Sequence, residues 1–388
     1  MANILLVIFF GSFLLCLSTY IVFPIVIALL GTTIRKDVQQ KDITPFVSII
    51  ISAYNEEKDI EQKIYNTLEL DYPDDKIEIL IGSDGSVDNT AAKVTDFISN
   101  NCSRKIHFFN YLENRGKTTV QNNLVTEAKG EILVFTDAAS FLPPIALKKL
   151  VRNFADCSVG CVAGRLRFVR QGQNITTESQ GVYWRYEMKI REMESRLGRL
   201  IGVDGPLYAV RKCYYVVLRP NIISDLMTPL LVLEQGKKVI LESDAIVEEE
   251  PTLKGAQEFN TRRRIVSRGL VGVFSHPEVL NPYKHFLLGL QVLFHKIIRW
   301  FVGPLVLANI FCGVVLFLMG NRLAIYLAPL YFIFFIAAGL GWYCDRRRIK
   351  SKVLTVPYYF CLVNLAATCG IVDFIFRKQA VTWETVRD

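Results

Sequence analysis

Asp137 closes the run Gly130-Glu131-Ile132-Leu133-Val134-Phe135-Thr136-Asp137-Ala138-Ala139-Ser140, in which residues 132–135 read as a buried strand stopping at a carboxylate. In open α/β sheets ligands sit beyond the carboxyl ends of the strands, so Asp137 stands where a phosphate-bearing ligand and its metal would lie. Capping the helix signalled by Pro143-Pro144 is its competing role. A second strand, 77–82, also runs into acid, Ser83-Asp84-Gly85-Ser86-Val87-Asp88-Asn89-Thr90, with Gly85 allowing a tight turn and Asp88 capping the next helix. Between these acids lies Glu113-Asn114-Arg115-Gly116-Lys117-Thr118-Thr119. Its Gly-Lys-Thr is not a triphosphate loop, because that motif needs glycine where Tyr111 stands. Arg115 and Lys117 are instead suited to contact a diphosphate beside the acidic strand ends.

These groups need a scaffold that brings strand ends to one edge. Residues 46–52 form a β-branched run after Pro45 and predict the first strand, which ends in Ala53-Tyr54-Asn55-Glu56-Glu57. Polar side chains at that end can hydrogen-bond a nucleotide base and ribose. An amphipathic helix over 59–70 follows and closes at Asp71-Tyr72-Pro73. Strands and helices alternating in this way predict an α/β domain with a mostly parallel sheet.

The ordered series Tyr54-Asn55-Glu56-Glu57, Asp84-Gly85-Ser86-Val87-Asp88, Arg115-Gly116-Lys117 with Asn123, and Phe135-Thr136-Asp137-Ala138-Ala139-Ser140 resembles the family 2 glycosyltransferases, which have the GT-A nucleotide-sugar-binding fold. The similarity continues through Val203-Asp204-Gly205-Pro206-Leu207-Tyr208-Ala209-Val210-Arg211 and Ile223-Ser224-Asp225-Leu226-Met227-Thr228-Pro229-Leu230. It extends more loosely to Glu248-Glu249-Glu250 and Arg262-Arg263-Arg264-Ile265. The flanking apolar blocks are similar to the membrane-embedded branch that includes cellulose, hyaluronan and poly-N-acetylglucosamine synthases.

This resemblance implies a base pocket at Tyr54, Glu56 and Asp84, a metal-diphosphate contact at Asp137 and a diphosphate contact at Arg264. It also implies that Asp225 takes the proton of the acceptor hydroxyl and that Asp204 borders donor sugar and acceptor. Capping its own helix is the competing role for Asp225, and satisfaction by nearby amides that for Asp204. A helix N-terminus would lower the Asp225 pKa and keep it ionised. Family members usually carry Asp or Asn two positions beyond the strand-end Asp, where this chain has Ala139, which ligates nothing. Mg²⁺ or Mn²⁺ can still be held by Asp137, two phosphate oxygens and waters. Processive relatives show Gln-x-x-Arg-Trp where Thr261 to Ile265 stand, and Ile265 cannot stack on an acceptor sugar as Trp does.

The function expected is inverting transfer from a UDP-sugar to a lipid-linked or growing polysaccharide acceptor. The alternatives are a processive synthase that extrudes its own product and a non-catalytic membrane subunit. The helix bearing Tyr183-Trp184-Arg185-Tyr186-Glu187 mixes aromatics with charges, which an acceptor contact and ordinary packing explain equally well.

With 51% hydrophobic residues the chain exceeds what a soluble protein needs, and the excess is local. Residues 1–30 carry no charged side chain, can span about 30 Å of hydrocarbon, and lack the basic start and cleavage site of a signal peptide, so they predict a retained transmembrane helix. A soluble domain is expected over 45–280, an amphipathic interfacial helix over 283–300, and a membrane region over 301–376. That region divides into blocks 301–319, 323–343 and 353–376, the last open to being broken by Pro357, Asn364, Gly370 and Asp373. Arg35, Lys36 and Lys41 after the first block, and Arg346, Arg347, Arg348, Lys350 and Lys352 after the third, place both flanks inside. This gives a multi-pass protein of the inner (plasma) membrane with a cytosolic catalytic domain. A net charge of +8 fits contact with membrane lipids, and no basic stripe with interleaved aromatics points to nucleic acid. The nine cysteines show no zinc spacing and read as free thiols, and the sequon Asn174-Ile175-Thr176 means nothing on a cytosolic face.

Overall fold

A computed structural model describes residues 2–101, 106–169, 175–251, 254–347, 349, 351–379 and 381–382; Asn174, Arg348 and Lys350 lie outside them. The chain opens with α1 (Ala2–Leu17) and α2 (Phe23–Thr33), joined by one π-helical turn. A βα alternation follows: β1 (Val47–Ala53), α3 (Ile60–Leu68), β2 (Ile77–Asp84), α4 (Thr90–Asn100), β3 (Ile106–Tyr111), α5 (Lys117–Glu127) and β4 (Ile132–Asp137). Next come α6 (Ala146–Val151), β5 (Val159–Phe168), α7 (Ile175–Arg196), β6 (Leu207–Arg211), α8 (Ser224–Glu234), β7 (Lys238–Glu249) and α9 (Gly255–Ser275). The C-terminal part holds α10 (Pro282–Gln291), α11 (Ile298–Trp300), α12 (Val302–Leu318), α13 (Arg322–Arg346) and α14 (Lys352–Ile375).

The seven strands form one sheet in the order β3-β2-β1-β4-β6-β5-β7. β1 is parallel to β2 and β4, and β2 to β3, whereas β6 runs antiparallel to its neighbours β4 and β5. On β4, Ile132 and Val134 join one core with Ile49 and Ile51, and Leu133 and Phe135 join the other with Ile50. Burial on both faces is why 132–135 is an unbroken apolar run instead of an alternating one. One core is closed by α3, α4 and α6 through Ile60, Phe97 and Leu147, the other by α5, α8 and α9 through Leu124, Leu230 and Leu270. The register pairs Ser52 with Asp137 and Ala53 with Ser83, so three strands finish level and present their last residues to one edge.

Among the described residues three helical stretches are long and apolar enough to cross a membrane: Ala2–Thr33, Arg322–Arg346 and Val353–Ile375. They mark the chain as a membrane protein. α1 packs on α12 through Phe9, Cys312 and Leu316, and buried Asn309 of α12 donates to the Phe9 carbonyl at 2.6 Å and to Ser12 Oγ at 3.0 Å. The last block is one unbroken helix despite Pro357. Its polar residues are used: Asn364 Nδ2 donates to the Phe360 carbonyl at 2.8 Å, and Asp373 takes a bidentate pair from Arg263 of α9 at 2.5 and 2.7 Å. A bend of 57° lies before α12 instead, where Pro282–Trp300 meets Val302–Leu318.

Candidate active site

The β1 and β2 ends are held together by side chains that bond backbone. Asn55, at φ 53°, accepts from Val87 N at 2.9 Å, Asp88 Oδ2 accepts from Glu57 N at 3.1 Å, and Thr90 Oγ1 accepts from Glu56 N at 2.8 Å. Tyr54 and Glu56 are thereby fixed beside the end of β2. Asp84 is fully buried there, its two oxygens accepting from Arg115 N and Gly116 N, each at 2.8 Å. Burial raises its pKa, and those amides and Arg115 pull it back. Gly116 is at φ 87° directly before α5, so Asp84 pins the turn that launches Lys117. Arg115 stays half exposed and reaches Glu113 at 3.8 Å.

Lys117 pairs with Asp137 at the end of β4. No side chain caps α6, which starts at Ala146, so the capping role for Asp137 falls away. Directly opposite stands Gly205. A methyl group built on it would lie 3.2 Å from Lys117 Nζ, 3.5 Å from Asp137 Oδ2 and 3.7 Å from Asp225 Oδ2. Three charged groups from α5, β4 and α8 therefore surround one point beside the Gly205 backbone.

Asp225 lies in the first turn of α8 without making a capping bond, so it is not there to cap. The expected lowering of its pKa is overturned: burial raises it, Asp204 and Asp137 add to the rise, and Lys117 opposes it. The helix terminus is a partial charge near solvent, whereas loss of hydration and two like charges act directly on the carboxylate. Asp204 is also buried and raised by burial, with Arg191 pulling back through a 2.6 Å bond. Its partner is thus a guanidinium and not the nearby amides that the sequence left open.

Asp204, Gly205, Asp225 and Ala139 line a cavity of about 1090 Å³ that extends to Tyr20, Arg299 and Asn364 among the membrane-side helices. The three consecutive arginines of α9, Arg262 to Arg264, have different surroundings. Arg263 faces Asp373, Arg262 bonds Glu258 at 2.8 Å and Tyr359 at 3.2 Å, and Arg264 lines the cavity with no carboxylate or hydrogen-bond partner among the described residues. Thr261 and Ile265 line it too. Tyr54, Glu56, Asp84, Arg115, Lys117 and Asp137 do not line this cavity; the last two meet it at Gly205 and Asp225, which do.

Residues 48–216 match the family profile described as Glycosyl transferase family 2. The chain carries a glycosyl transferase family 2 domain. This domain is 31% identical over 137 residues, 35% of the chain, to the poly-beta-1,6-N-acetyl-D-glucosamine synthase of Staphylococcus aureus strain COL. It is 29% identical over 140 residues, 34% of the chain, to the Bacillus subtilis protein named "Probable glycosyltransferase YdaM". Each match spans 32% of the relative's length, about a third. The solved structure of the mannosyltransferase PcManGT from Pyrobaculum calidifontis, in complex with GDP-Man and Mn2+, superposes with a TM-score of 0.70 over 97% of this chain and 98% of that one. At 20% identity that likeness shows the fold alone, a GT-A domain with its flanking helices.

The sequence missed several residues that shape the glycosyl transferase family 2 site. Lys63 of α3 is fully buried and donates to Thr136 Oγ1 at 2.8 Å and to the Ser140 carbonyl at 2.5 Å, bracketing Asp137. Burial pushes its pKa down to about 7, with Asp137 opposing. Its signal was present, since Lys63 follows Ile60 by three and precedes Ile64 on the apolar face. The α7 helix proves to be a cavity wall. Its Glu187 accepts from Arg299 at 2.8 Å, and His295 bridges Glu187 and Glu194 at 3.1 and 2.9 Å. Glu187, Arg191 and Glu194 recur at helical spacing on that wall, a pattern readable as a buried ionic stripe only once a partner surface is known.

Among the described residues no group of three or more His, Cys, Asp or Glu side chains could hold a metal ion. The donor set at the site is Asp137 alone, with the Ala139 methyl on the cavity wall where a second ligand would stand. Such a site fits a divalent cation only when a diphosphate supplies further oxygens, which suits a hard ion that keeps its waters.

Proposed function

We propose that this chain transfers a sugar from a UDP-sugar, with inversion, to a lipid-linked or polysaccharide acceptor at the cytosolic face of the inner membrane. The observation that carries this reading is the convergence of Lys117, Asp137 and Asp225 around Gly205 at the head of the cavity. Tyr54, Glu56 and Asp84 border the base, while Lys117, Arg115 and the unpaired Arg264 face the diphosphate. Asp137 would hold Mg²⁺ or Mn²⁺, which supplies charge neutralisation for the departing diphosphate. Asp225 takes the proton of the acceptor hydroxyl as that oxygen bonds the anomeric carbon from the side opposite the diphosphate. The bond to the diphosphate breaks with its electron pair, which is why the product is inverted. The raised pKa of Asp225 makes its carboxylate a stronger base toward the acceptor hydroxyl.

Detergent-purified protein incubated with a panel of UDP- and GDP-sugars, with and without chelator, tests this by nucleotide release. Release from a UDP-sugar that stops on chelation supports it; no release from any donor in the presence of membrane extract sinks it. Orientation is tested at Cys157 and Cys213, both exposed on the soluble domain. With the other cysteines replaced, an impermeant thiol reagent should reach them only after the cells are opened. Labelling in sealed cells would place the domain on the other face.

A further inference from the structure

A second cavity of about 1080 Å³ lies between the start of α9 and helices α12, α13 and α14. Its wall is apolar, with Phe259, Ile310 and Leu362 among its lining, and it opens outward past Leu307, Trp342 and Leu365, all large apolar side chains that remain exposed. Exposed apolar groups on helices able to cross a bilayer face lipid. At its other end the groove meets the catalytic cavity, for Lys254 and Asn364 line both. The charges at this junction are Lys254, Arg346 and Asp345. Asp345 is already engaged, accepting from Thr176 Oγ1 at 2.6 Å and from Tyr358 Oη at 2.9 Å, whereas the Arg346 guanidinium lies over the Trp342 ring at 4.1 Å. The groove is therefore apolar toward the bilayer and carries its charged side chains, two cations among them, toward the active site.

We propose that this groove seats the hydrocarbon chain of a lipid-linked saccharide acceptor, with its phosphate at Lys254 and Arg346 and its sugar hydroxyl reaching Asp225 through the shared opening. The inference rests on the transferase reading above and narrows its acceptor to a membrane lipid. A chain entering sideways from the bilayer keeps its apolar surface out of water throughout, and its charged head meets cations where hydrocarbon gives way to the polar cavity. Of the two acceptor classes, the groove favours the lipid, since a free polysaccharide has no apolar segment to place in it.

The test uses the full chain in liposomes and a long-chain alkyl phosphate bearing a diazirine in its chain. Gly339 lines the groove, and a Cβ there meets nothing within 4 Å, so Gly339→Leu fills the groove without crowding the protein; Leu365→Trp narrows its mouth. Photolabel should concentrate in segments 303–310, 335–346 and 358–368, and fall at least about tenfold in both variants. It should be unchanged in Leu330→Trp, an exposed apolar position outside the groove. The matching alkyl alcohol should compete less well than the alkyl phosphate. Label spread evenly over the apolar helices, or undiminished in both groove variants, overturns the site, and equal competition by the alcohol overturns the phosphate seat. Binding of a UDP-sugar is measured in the same vesicles and should be unaffected by either variant. Loss of donor binding in the wild-type chain would instead count against the transferase reading while the labelling pattern still judged the groove.

Discussion

The two sides of the site are held by different forces. On the donor side, around β1, β2 and β4, polar side chains bond backbone amides of the next loop, as Asp84 does with Arg115 and Gly116. On the acceptor side, α7 is tied to its surroundings by buried ion pairs, Arg191 with Asp204 and Glu187 with Arg299. Hydrogen bonds to backbone fix a loop's shape locally and tolerate many side chains nearby. A buried ion pair costs desolvation on both partners and rewards only the arrangement in which they meet, so it couples distant segments in an all-or-none way. The donor side is thus a set of short-range fixtures, and the acceptor side a single long-range assembly that requires the membrane-side helices to be in place.

This contrast can be broken experimentally. Asp137→Ala should abolish transfer and weaken binding of the nucleoside diphosphate, while thermal stability stays near wild type because its fixtures are local. Intact turnover in this variant and in chelator would remove Asp137 from the reaction. Asp225→Asn should keep the fold and donor binding while transfer falls about 10²- to 10⁴-fold, the usual contribution of a general base. In the wild type, kcat/KM should decline on the acid side through a pKa displaced above the ordinary aspartate value of 3.8. A near-normal rate in Asp225→Asn would shift the base to Asp204.

Arg191→Met tests the acceptor-side assembly, since it leaves Asp204 buried and unpaired at a cost of about 3–5 kcal/mol. Denaturant unfolding should show that loss, and Arg191→Met with Asp204→Leu should recover much of it while remaining inactive. No loss in the single variant would mean that the pair contributes nothing to this wall.

The smallest expected effect concerns Lys63. Its folded pKa, about 7, lies below the ordinary 10.5, so between those values the unfolded chain binds the extra proton. Stability contributed at this position therefore rises with pH from about 7 toward 10. Wild type should gain on Lys63→Met across that window, and parallel stability curves would show that Lys63 titrates normally.

The strand-end acids were legible because a run such as 132–135 followed by Asp137 records burial on two faces and then emergence at an edge, all within one local pattern. The stretches 2–33, 322–346 and 353–375, long and apolar enough to cross a membrane, were legible for the same reason, since hydrocarbon demands length and apolarity from each helix separately, whereas block 301–319 reaches that length only with the bent segment before it. Local pattern left α14 open, because Pro357, Asn364, Gly370 and Asp373 interrupt its apolar run; the helix is continuous, with Asn364 bonded within it and Asp373 paired with Arg263. It misjudged the direction of the Asp225 pKa, which burial raises and to which Asp204 and Asp137, 21 and 88 positions away, add.

The sequence by itself determined the order of the chemistry-bearing residues and the parallel half of the sheet, because both depend on neighbours in the chain. Only the tertiary structure decided that Lys63 sits under Asp137, that α7 is a cavity wall, and that Arg264, unlike Arg262 and Arg263, faces the cavity with no carboxylate partner among the described residues. Those outcomes depend on which charges lose their water together. Desolvation and ion pairing are set by distances between segments far apart in the chain, and no local pattern encodes them.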